Sequence, residues 1–384
     1  MSAQQARTGP SVFRWLRTGR EGLRAMLAAI ESARESIRLE TYIFDDSPVG
    51  SAFREALLRA RLRGVRVTVM VDAVGSLELP DSFWEPLRNA GAEVLWFNPL
   101  SLKRMSYRDH RKIMVVDDRK AIVGGFNVAR EYDGDGVNEG WRDLGLEVEG
   151  SLVDDLGASC DRMFARAGFR HQRLQRLRRT GVSQTSAEHN WRLLLSGPGR
   201  GHQLIKRALA ADLAKAREVH IASAYFLPPW RLRRELRRIP RRHGRVRLIL
   251  AGKSDVKVSY HASRRLYHGL LRAGVEIYEY QPQVLHAKLL ILDSLVFVGS
   301  ANLDVRGLAI NYEYLVRVRD DDLAAEGREM ARGMLEHCRR IDPAEWARSR
   351  SFLEKLMEQC CFLVLARVDP YLARLQWKRA AHES

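Results

Sequence analysis

Apolar and polar positions follow the same succession of patterns twice along this chain. Helical periodicities that end near glycine precede short alternating or wholly apolar runs, which are typical of strands. "ESARESIRLETYIF" is echoed by "AKAREVHIASAYFL", "GVRVTVMVD" by "GRVRLILAG", and "RNAGAEVLWF" by "LRAGVEIYEY". The repetition predicts an α/β fold of two tandem lobes, each a mixed sheet flanked by helices, so that the chain is an internal pseudo-dimer.

The stretch between the two rounds, "RHQRLQRLRRTGVSQTSAEHN", is polar and charged and has no strand pattern. We place the lobe boundary inside it, which predicts a first lobe over residues 1–180 and a second over residues 181–345. The remaining residues, 346–384, are predicted to form an amphipathic C-terminal tail.

Each round ends in a predicted hairpin that carries the same polar residues. "HRKIMVVDD" begins at His110, and "HAKLLILDS" begins at His286. Because residues i and i+2 of a strand share a face, each histidine should project together with the lysine two positions on, Lys112 or Lys288.

An aspartate completes each motif seven positions after its histidine. Asp117 and Asp293 should therefore point to the other face or lie at the strand end, where a carboxylate can hold backbone N–H groups; we count them with the catalytic motif in a supporting role. The second strand of each hairpin, "AIVGGFN" or "VFVGSAN", ends in small residues and an amide that could contact phosphate. These candidates are Gly125, Asn127, Ser300 and Asn302.

Two imidazoles, two ammonium groups and two amides that face one another would suit a phosphodiester. One neutral imidazole can attack phosphorus and form a covalent phosphohistidine, while the other protonates the departing alkoxide. The lysines and amides can stabilise charge where other enzymes use Mg²⁺, so we expect no metal and no other cofactor. Each imidazole also needs a partner for its second nitrogen, and Asp143 and Glu313 occupy equivalent places after the two hairpins.

The paired stretches resemble the HKD motifs of the phospholipase D superfamily, over nearly the whole chain from about Arg20 to Val318. Within that superfamily, "LETYIFDDSPVG", "FNPLSLKRMSYRDHRKIMVVDD" and "GSANLDVRG" are similar to bacterial cardiolipin synthases, particularly those without N-terminal transmembrane helices. The resemblance implies transfer of a phosphatidyl group from one phosphatidylglycerol to another, with release of glycerol. It makes His110 the nucleophile and His286 the general acid and then base, although the reverse assignment is nearly as defensible.

The resemblance also implies that the lysines and asparagines of the motifs bind phosphate. The family usually has Ser or Thr where this chain has Gly125, whereas the second motif keeps Ser300. We therefore expect one hydroxyl to be missing on the first side of the site.

Charge and amphipathic stretches suggest where such an enzyme works. The formal net charge of +17 favours an anionic partner. "PPWRLRRELRRIPRRHGRVR" places Trp230, Leu232, Leu236 and Ile239 beside many arginines, which suits either an interfacial helix or an ordinary helix packed on the sheet. The apolar run that begins at Cys360 is too short to span a bilayer but could anchor the tail or cap the second lobe.

We expect a phospholipid substrate, an anionic membrane surface as partner and a peripheral location on the cytoplasmic face of a bacterial inner membrane. Two rival functions remain. One is a phospholipase D-type hydrolase or a nuclease of the same fold, although "YIFDD" and "FNPLS" do not support the nuclease. The other is a non-catalytic module that binds anionic lipid or nucleic acid. We do not expect nucleic acid as a partner, and the sequence leaves the oligomeric state and the acceptor alcohol open.

Overall fold

The computed structural model describes residues 11–99, 106–167, 189–198 and 203–382, and the side chains up to residue 376. The strands of the first lobe are β1 Val12–Leu16, β2 Ser36–Thr41, β3 Arg66–Asp72, β4 Glu93–Phe97, β5 Ile113–Val116, β6 Lys120–Gly124 and β7 Gly145–Glu149. Its helices are α1 Gly19–Ser32, α2 Pro48–Leu62, α3 Glu85–Asn89 and α4 Leu152–Phe164, with 3-10 turns at Asp81–Trp84 and Arg130–Tyr132.

The second lobe repeats this succession and continues into C-terminal helices. Its strands are β8 Trp191–Ser196, β9 Glu218–Ser223, β10 Arg245–Ala251, β11 Glu276–Tyr280, β12 Lys288–Leu292, β13 Leu295–Gly299, β14 Glu313–Arg319 and β15 Cys338–Arg340. Its helices are α5 Leu204–Leu213, α6 Trp230–Arg241, α7 Lys257–Leu271, α8 Val305–Ala309 and α9 Asp321–Leu335. Then come α10 Pro343–Arg348, α11 Phe352–Leu363, a π-helical turn Val364–Val368 and α12 Asp369–His382.

The two sheets have the same strand order, which confirms the predicted duplication. The first is ordered β1-β7-β6-β5-β2-β3-β4, and the second β8-β14-β13-β12-β9-β10-β11 with β15 added at the edge. In each sheet, three strands are parallel and the others antiparallel, for example β2 with β3 and β2 with β5. Both lobes are therefore mixed α/β units.

The faces of the two sheets meet in one continuous apolar core. Ile113 and Val123 of the first lobe belong to the same buried cluster as Leu289 and Val298 of the second, together with residues of α4 and α9. Separate apolar clusters lie under the outer helices of each lobe. Burial of this shared face fixes the lobes against each other and so sets the geometry of any site between them.

The structure corrects the alignment of the first repeated strands by one residue. Equal-length matching sets Tyr42 against Tyr225, whereas equivalent β-bridges join Phe44 to Val128 and Phe226 to Leu303. Tyr42 therefore corresponds to Ala224. A slip of one residue moves every side chain of a strand to the other face, so these tyrosines are not counterparts.

The arginine-rich segment after β9 is a helix packed on the sheet, which is one of the two interpretations that its sequence left open. Leu232, Leu236 and Ile239 of α6 are buried in the core of the second lobe, and Trp230 alone of the four predicted contacts is exposed. The helix satisfies the amphipathic pattern by burying its apolar stripe against the sheet.

The predicted lobe boundary near residue 180 lies outside the described residues and stays a prediction. The predicted start of the tail at residue 346 also stays a prediction, although Trp346 is buried with its ring 5.0 Å from that of Tyr267. Among the residues that the structure describes, no helix is long and apolar enough to cross a membrane.

Candidate active site

Both HxK stretches lie at the junction of the lobes, just before their hairpins. The prediction that His110 and Lys112 lie within a strand is wrong, because β5 begins at Ile113 and β12 at Lys288. The backbone here bonds to the opposite lobe instead: His110 N–H donates to Tyr312 O at 3.1 Å. The N–H groups of His286 and Ala287 both donate to Arg142 O, at 2.8 and 3.0 Å. Each histidine is thus held by the other half of the chain.

The His286 ring is oriented by the first lobe. Its Nδ1 donates to Asp143 Oδ2 at 2.7 Å, and its Nε2 lies 3.4 Å from the hydroxyl of Tyr132. The rings of Tyr132 and Trp141 lie 5.2 and 5.4 Å from that of His286, centre to centre. Because Nδ1 carries the hydrogen, Nε2 is the nitrogen available for reaction.

The His110 ring contacts a carboxyl group of the second lobe at a similar distance, but neither Nδ1 of His110 nor Oε1 of Glu313 has a hydrogen-bond partner among the described residues. Nδ1 of His110 lies 2.9 Å from Glu313 Oε1, and the centre of its ring lies 4.8 Å from that of Tyr42. The carboxylates thus exchange partners: each follows the hairpin of its own lobe and contacts the imidazole of the other. Neither lobe alone holds an imidazole together with its carboxylate.

The two lysines are buried and turned toward the histidine carbonyls. Lys112 Nζ donates to His110 O, and Lys288 Nζ donates to His286 O, both at 2.6 Å. Lys288 Nζ also lies 2.9 Å from Nε2 of His286. Burial lowers the pKa of Lys112 to about 7, against the pull of Glu313, and the pKa of Lys288 to about 8, against the pull of Asp143. The two ammonium groups lack full compensation and would gain from an anionic ligand.

Without a bound anion, both imidazoles are held in the neutral form. Burial and the nearby Lys288 lower the pKa of His286 to about 4, while Asp143 opposes the shift. Burial, Lys112 and Lys288 lower the pKa of His110 well below its ordinary value. Burial also raises the pKa of Glu313 well above its usual range. A neutral imidazole is the form that can act as a nucleophile.

The family described as "Cardiolipin synthase, PLD-like domain" matches residues 26–133 and 209–335, together more than half of the chain. The chain belongs to this family. Both matched segments include the repeated strand pattern, and each contains one of the two HxK stretches.

Named relatives are similar over most of the chain. Cardiolipin synthase 1 of Bacillus cereus is 33% identical over 313 residues, which are 78% of this chain and 62% of that protein. Cardiolipin synthase B of Escherichia coli K12 is 33% identical over 345 residues, 85% of this chain and 81% of that protein. The chain thus spans slightly less than two thirds of the Bacillus relative and most of the Escherichia coli one.

Among solved structures, a phosphatidylserine synthase of Haemophilus influenzae superposes with a TM-score of 0.73 over 97% of this chain and 96% of that one. The two are 12% identical in sequence. The likeness shows that this chain has the two-lobed phospholipase D fold.

The presence of Gly125, where the family usually has Ser or Thr, has a steric reason. A Cβ at this position would lie 2.4 Å from Oδ1 of Asp143, so no side chain fits there. In the second lobe, Ser300 Oγ donates to Glu313 Oε2 at 2.5 Å. The residue after the first glycine of each motif, Gly124 or Gly299, therefore faces the carboxyl group that follows its hairpin. A glycine accompanies the shorter Asp143, and a serine accompanies the longer Glu313.

The two asparagines differ in their surroundings. Asn127 accepts from the N–H of Ile43 at 3.0 Å and donates to the hydroxyl of Tyr132 at 2.6 Å, so its amide supports Tyr132. Oδ1 of Asn302 is buried and has no hydrogen-bond partner among the described residues. Gly307 stands five residues after Asn302, where Tyr132 stands after Asn127. Asn302 thus keeps a buried acceptor that a ligand could engage, whereas Oδ1 and Nδ2 of Asn127 are both bonded within the protein.

The motif aspartates hold backbone N–H groups at the strand ends, as their odd spacing from the histidines predicts, and so support the motif without joining the reacting groups. Asp117 accepts from the N–H groups of Glu35 and Ser36 at 2.7 and 2.8 Å, and Asp293 accepts from that of Glu218 at 2.8 Å. Both have a positive φ, 54° and 53°, at the hairpin turns. They fix the start of β2 and β9 at the end of the hairpin far from the imidazoles.

Sequence reasoning missed several residues that shape the site. Tyr314 of the second lobe donates to Lys112 O at 2.7 Å and accepts from Gly124 N–H at 2.9 Å, so it positions the first hairpin. Tyr132 and Trp141 form part of the wall around His286. "NYEYL" and "GWRDL" place aromatic residues beside Glu313 and Asp143, and this pairing was the available signal. Among the described residues, no three His, Cys, Asp or Glu side chains are grouped as metal ligands.

Proposed function

We propose that this protein transfers a phosphatidyl group between two phosphatidylglycerol molecules, forming cardiolipin and releasing glycerol. The observation that carries the proposal is the pair of neutral imidazoles, each with a carboxylate from the opposite lobe, beside two buried lysines. The names of the relatives supply the substrate class. The proposed location is peripheral, on the cytoplasmic face of a bacterial inner membrane.

In the first step, Nε2 of His110 attacks phosphorus of the donor phosphatidylglycerol. The N–P bond forms while the bond from phosphorus to the glycerol oxygen breaks. The electron pair of that bond goes to the oxygen, which takes a proton from Nε2 of His286 and leaves as glycerol. His286 enters this step as imidazolium, the form that Asp143 and the negative charge of the bound phosphodiester stabilise. Lys112 and Lys288 stabilise the negative charge on the non-bridging oxygens.

In the second step, a hydroxyl of another phosphatidylglycerol replaces glycerol at the same place. His286 now accepts the hydroxyl proton, the oxygen attacks phosphorus, and the N–P bond to His110 breaks. The electron pair returns to the imidazole, and cardiolipin leaves. Proton and leaving group balance over the two steps, so His110 and His286 end in their starting forms.

An asymmetry in charge supports this assignment of the two imidazoles. Asp143 raises the pKa of His286 through both its charge and its hydrogen bond, so a protonated His286 has a stabilising partner. The pKa of His110 is lowered by burial, Lys112 and Lys288. A bound phosphodiester would raise the pKa of His286 further through its negative charge, as an acid in this position requires. The reverse assignment remains the alternative.

We expect purified protein incubated with phosphatidylglycerol vesicles to release glycerol and to form cardiolipin in equal amounts. The aromatic wall of Tyr42, Tyr132 and Trp141 supports transfer because it limits the access of water to the phosphohistidine. Thin-layer chromatography and a glycerol assay measure both products. Glycerol release with phosphatidate in place of cardiolipin would indicate a hydrolase, and cleavage of DNA without either product would indicate a nuclease. Turnover by neither route would indicate a binding module.

We expect kcat/KM to fall as the pH rises through about 7 to 8. The pKa values of Lys112 and Lys288 are lowered to about 7 and about 8, so the ammonium groups that attract the anionic phosphodiester are lost above this window. The measurement is kcat/KM against pH with monomeric short-chain phosphatidylglycerol. Lys120, whose pKa is raised by Glu147 and Glu149 despite partial burial, offers a matched control: Lys120→Met should leave the profile unchanged. A wild-type profile that stays flat to pH 9.5 would contradict the role of the lysines.

A further inference from the structure

The C-terminal helices present an apolar surface on the side turned away from the lobe. The inner side of α11 and of the π-helical turn after it is packed. Phe362 and Leu365 lie against the core of the second lobe, and buried Glu358 pairs with Arg350 at 2.5 Å. The outer side and the segment that follows expose large apolar side chains: Phe352, Leu353, Leu356, Met357, Leu363, Val364, Val368, Tyr371 and Leu372. A helix that merely capped the lobe would turn polar residues to water.

The segment after α11 is fixed beside the active site. Asp369 pairs with Arg306 through two contacts of 2.9 Å, and Gln376 Oε1 accepts from Ser106 N–H at 3.0 Å. The hydroxyl of Tyr107 donates to Ala373 O. Ser106 and Tyr107 lie just before His110 in the chain, and Arg306 lies shortly after Asn302. The exposed apolar residues Tyr371 and Leu372 therefore lie on a segment that is anchored to the stretches of chain carrying His110 and Asn302.

Further exposed apolar residues lie on loops and first helical turns at the same edge of the sheets. Leu77 follows β3, Trp230 follows β9, and Val256 and Val258 follow β10. These are parallel strands, and their carboxyl ends lie at the edge where the HxK stretches enter the antiparallel β5 and β12, as the pairs Glu40–Ile113 and Ser223–Lys288 show. We call these four residues and the nine of the C-terminal helices the apolar rim.

Cations are interspersed with the apolar rim. Arg234 lies 4.8 Å from the ring centre of Trp230. Exposed basic residues accompany each part of it: Arg231, Lys257, Lys355, Arg367 and Arg374. Apolar side chains that reach into acyl chains, with cations at the level of the headgroups, match the chemistry of an anionic lipid surface.

We propose that the apolar rim is the surface with which this protein lies on an anionic bilayer, so that the mouth of the site opens toward the lipid headgroups. The choice of a lipid surface over a protein partner rests on the proposed function. A lipid phosphodiester would then reach the imidazoles without its acyl chains crossing water, because the rim and the motifs share one edge of the sheets. The main alternative occupant is a second copy of this chain.

The binding test compares two sets of substitutions in the full chain. The first variant carries Leu363→Ser, Val368→Ser and Leu372→Ser, which change exposed residues of the apolar rim and leave the contacts of Asp369 and Gln376 in place. The control carries Val12→Ser and Leu62→Ser, at residues 65% and 73% exposed and outside the apolar rim. Deleting the tail would be a poorer test, because it would also remove Phe362 and Leu365 from the core. Circular dichroism and thermal melting verify that both variants fold.

Flotation with vesicles that contain phosphatidylglycerol is the readout, and phosphatidylcholine vesicles serve as the uncharged reference. We expect the wild type and the control to float with the anionic vesicles, and the rim variant to lose at least about tenfold in its partition coefficient. Equal flotation of the rim variant and the wild type would overturn the proposal. So would a rim variant that converts a dimer to a monomer in sedimentation while it still binds vesicles, since the occupant would then be a second copy.

An activity comparison separates this proposal from the proposed function. With monomeric short-chain phosphatidylglycerol, the rim variant should match the wild type, because the substituted residues do not touch the reacting groups. With vesicles, its rate should fall in parallel with its binding. If the wild type floats with anionic vesicles, the rim variant does not, and the wild type turns over neither substrate, then the proposed membrane-binding surface is supported and the enzymatic proposal fails. If the wild type and the rim variant turn over phosphatidylglycerol in vesicles at equal rates, the proposed membrane-binding surface is contradicted and the enzymatic proposal is supported.

Discussion

Replacing His110 with alanine is expected to reduce phosphatidyl transfer by on the order of 10⁴-fold or more, since it removes the proposed nucleophile and with it the covalent intermediate. Cardiolipin formation from phosphatidylglycerol vesicles measures the loss. A phosphatidyl ester of p-nitrophenol sharpens the test, because p-nitrophenolate leaves without a proton. The His110→Ala variant should fail to release it, whereas His286→Ala should release a first equivalent at nearly the wild-type rate.

Trapping the intermediate by acid quench, followed by peptide mapping, locates the phosphorylated residue. An adduct on the peptide that contains His110 supports the assignment. An adduct on His286, together with release of p-nitrophenolate by His110→Ala, would exchange the two roles. Full transfer activity in both alanine variants would remove the phosphohistidine mechanism altogether.

Asp143→Asn is expected to lower transfer by about 10²- to 10⁴-fold, the range for a general acid held in the wrong tautomer. Asp143 accepts the Nδ1 hydrogen of His286 and thereby leaves Nε2 to face the substrate. An asparagine can present its amide N–H to Nδ1 and so move the ring hydrogen to Nε2, and it brings no negative charge to stabilise the imidazolium. Steady-state transfer from phosphatidylglycerol measures the effect.

Three comparisons separate this positioning role from a general loss of structure. Asp143→Asn should release the first equivalent of p-nitrophenolate almost normally, because that step needs no acid. Glu313→Gln, the matched change on the other imidazole, should slow the same burst. Asp143→Glu, which keeps the negative charge, should retain more transfer activity than Asp143→Asn. If Asp143→Asn kept transfer within about threefold of wild type, the positioning role would be wrong.

The duplicated fold and the residues of the site could be predicted because both depend on local patterns that occur twice. Strand periodicity, the glycines between elements and the two HxK stretches are all visible in short windows of the sequence. The partner of each imidazole could not be predicted in the same way. Asp143 and Glu313 were recognised as equivalent carboxylates, but that each contacts the histidine of the other lobe depends on how the two sheets pack.

Other differences have equally physical origins. The start of β5 and β12 was predicted too early, because His110 and His286 are extended but bond to Tyr312 and Arg142 across the lobes instead of continuing the sheet. The sequence left the environment of α6 open because an amphipathic stripe has the same spacing whether it faces a sheet or a bilayer. The outward apolar face of α11 could not be recognised for the same reason, because the sequence does not show which side of the helix packs against the second lobe.

The exchange of carboxylates between the lobes also bears on how this chain could have diverged. Gly125 and Asp143 must fit each other within one lobe, and Ser300 and Glu313 within the other, yet each pair positions a ring that the opposite half contributes. A chimera that takes a whole half from a relative would therefore keep each small residue matched to its carboxylate but would set that pair against a foreign histidine. Exchange of a whole half would preserve the steric fit between the small residue and its carboxylate within that half. It would disturb the contact between that carboxylate and the histidine of the other half, so the two halves are expected to evolve together.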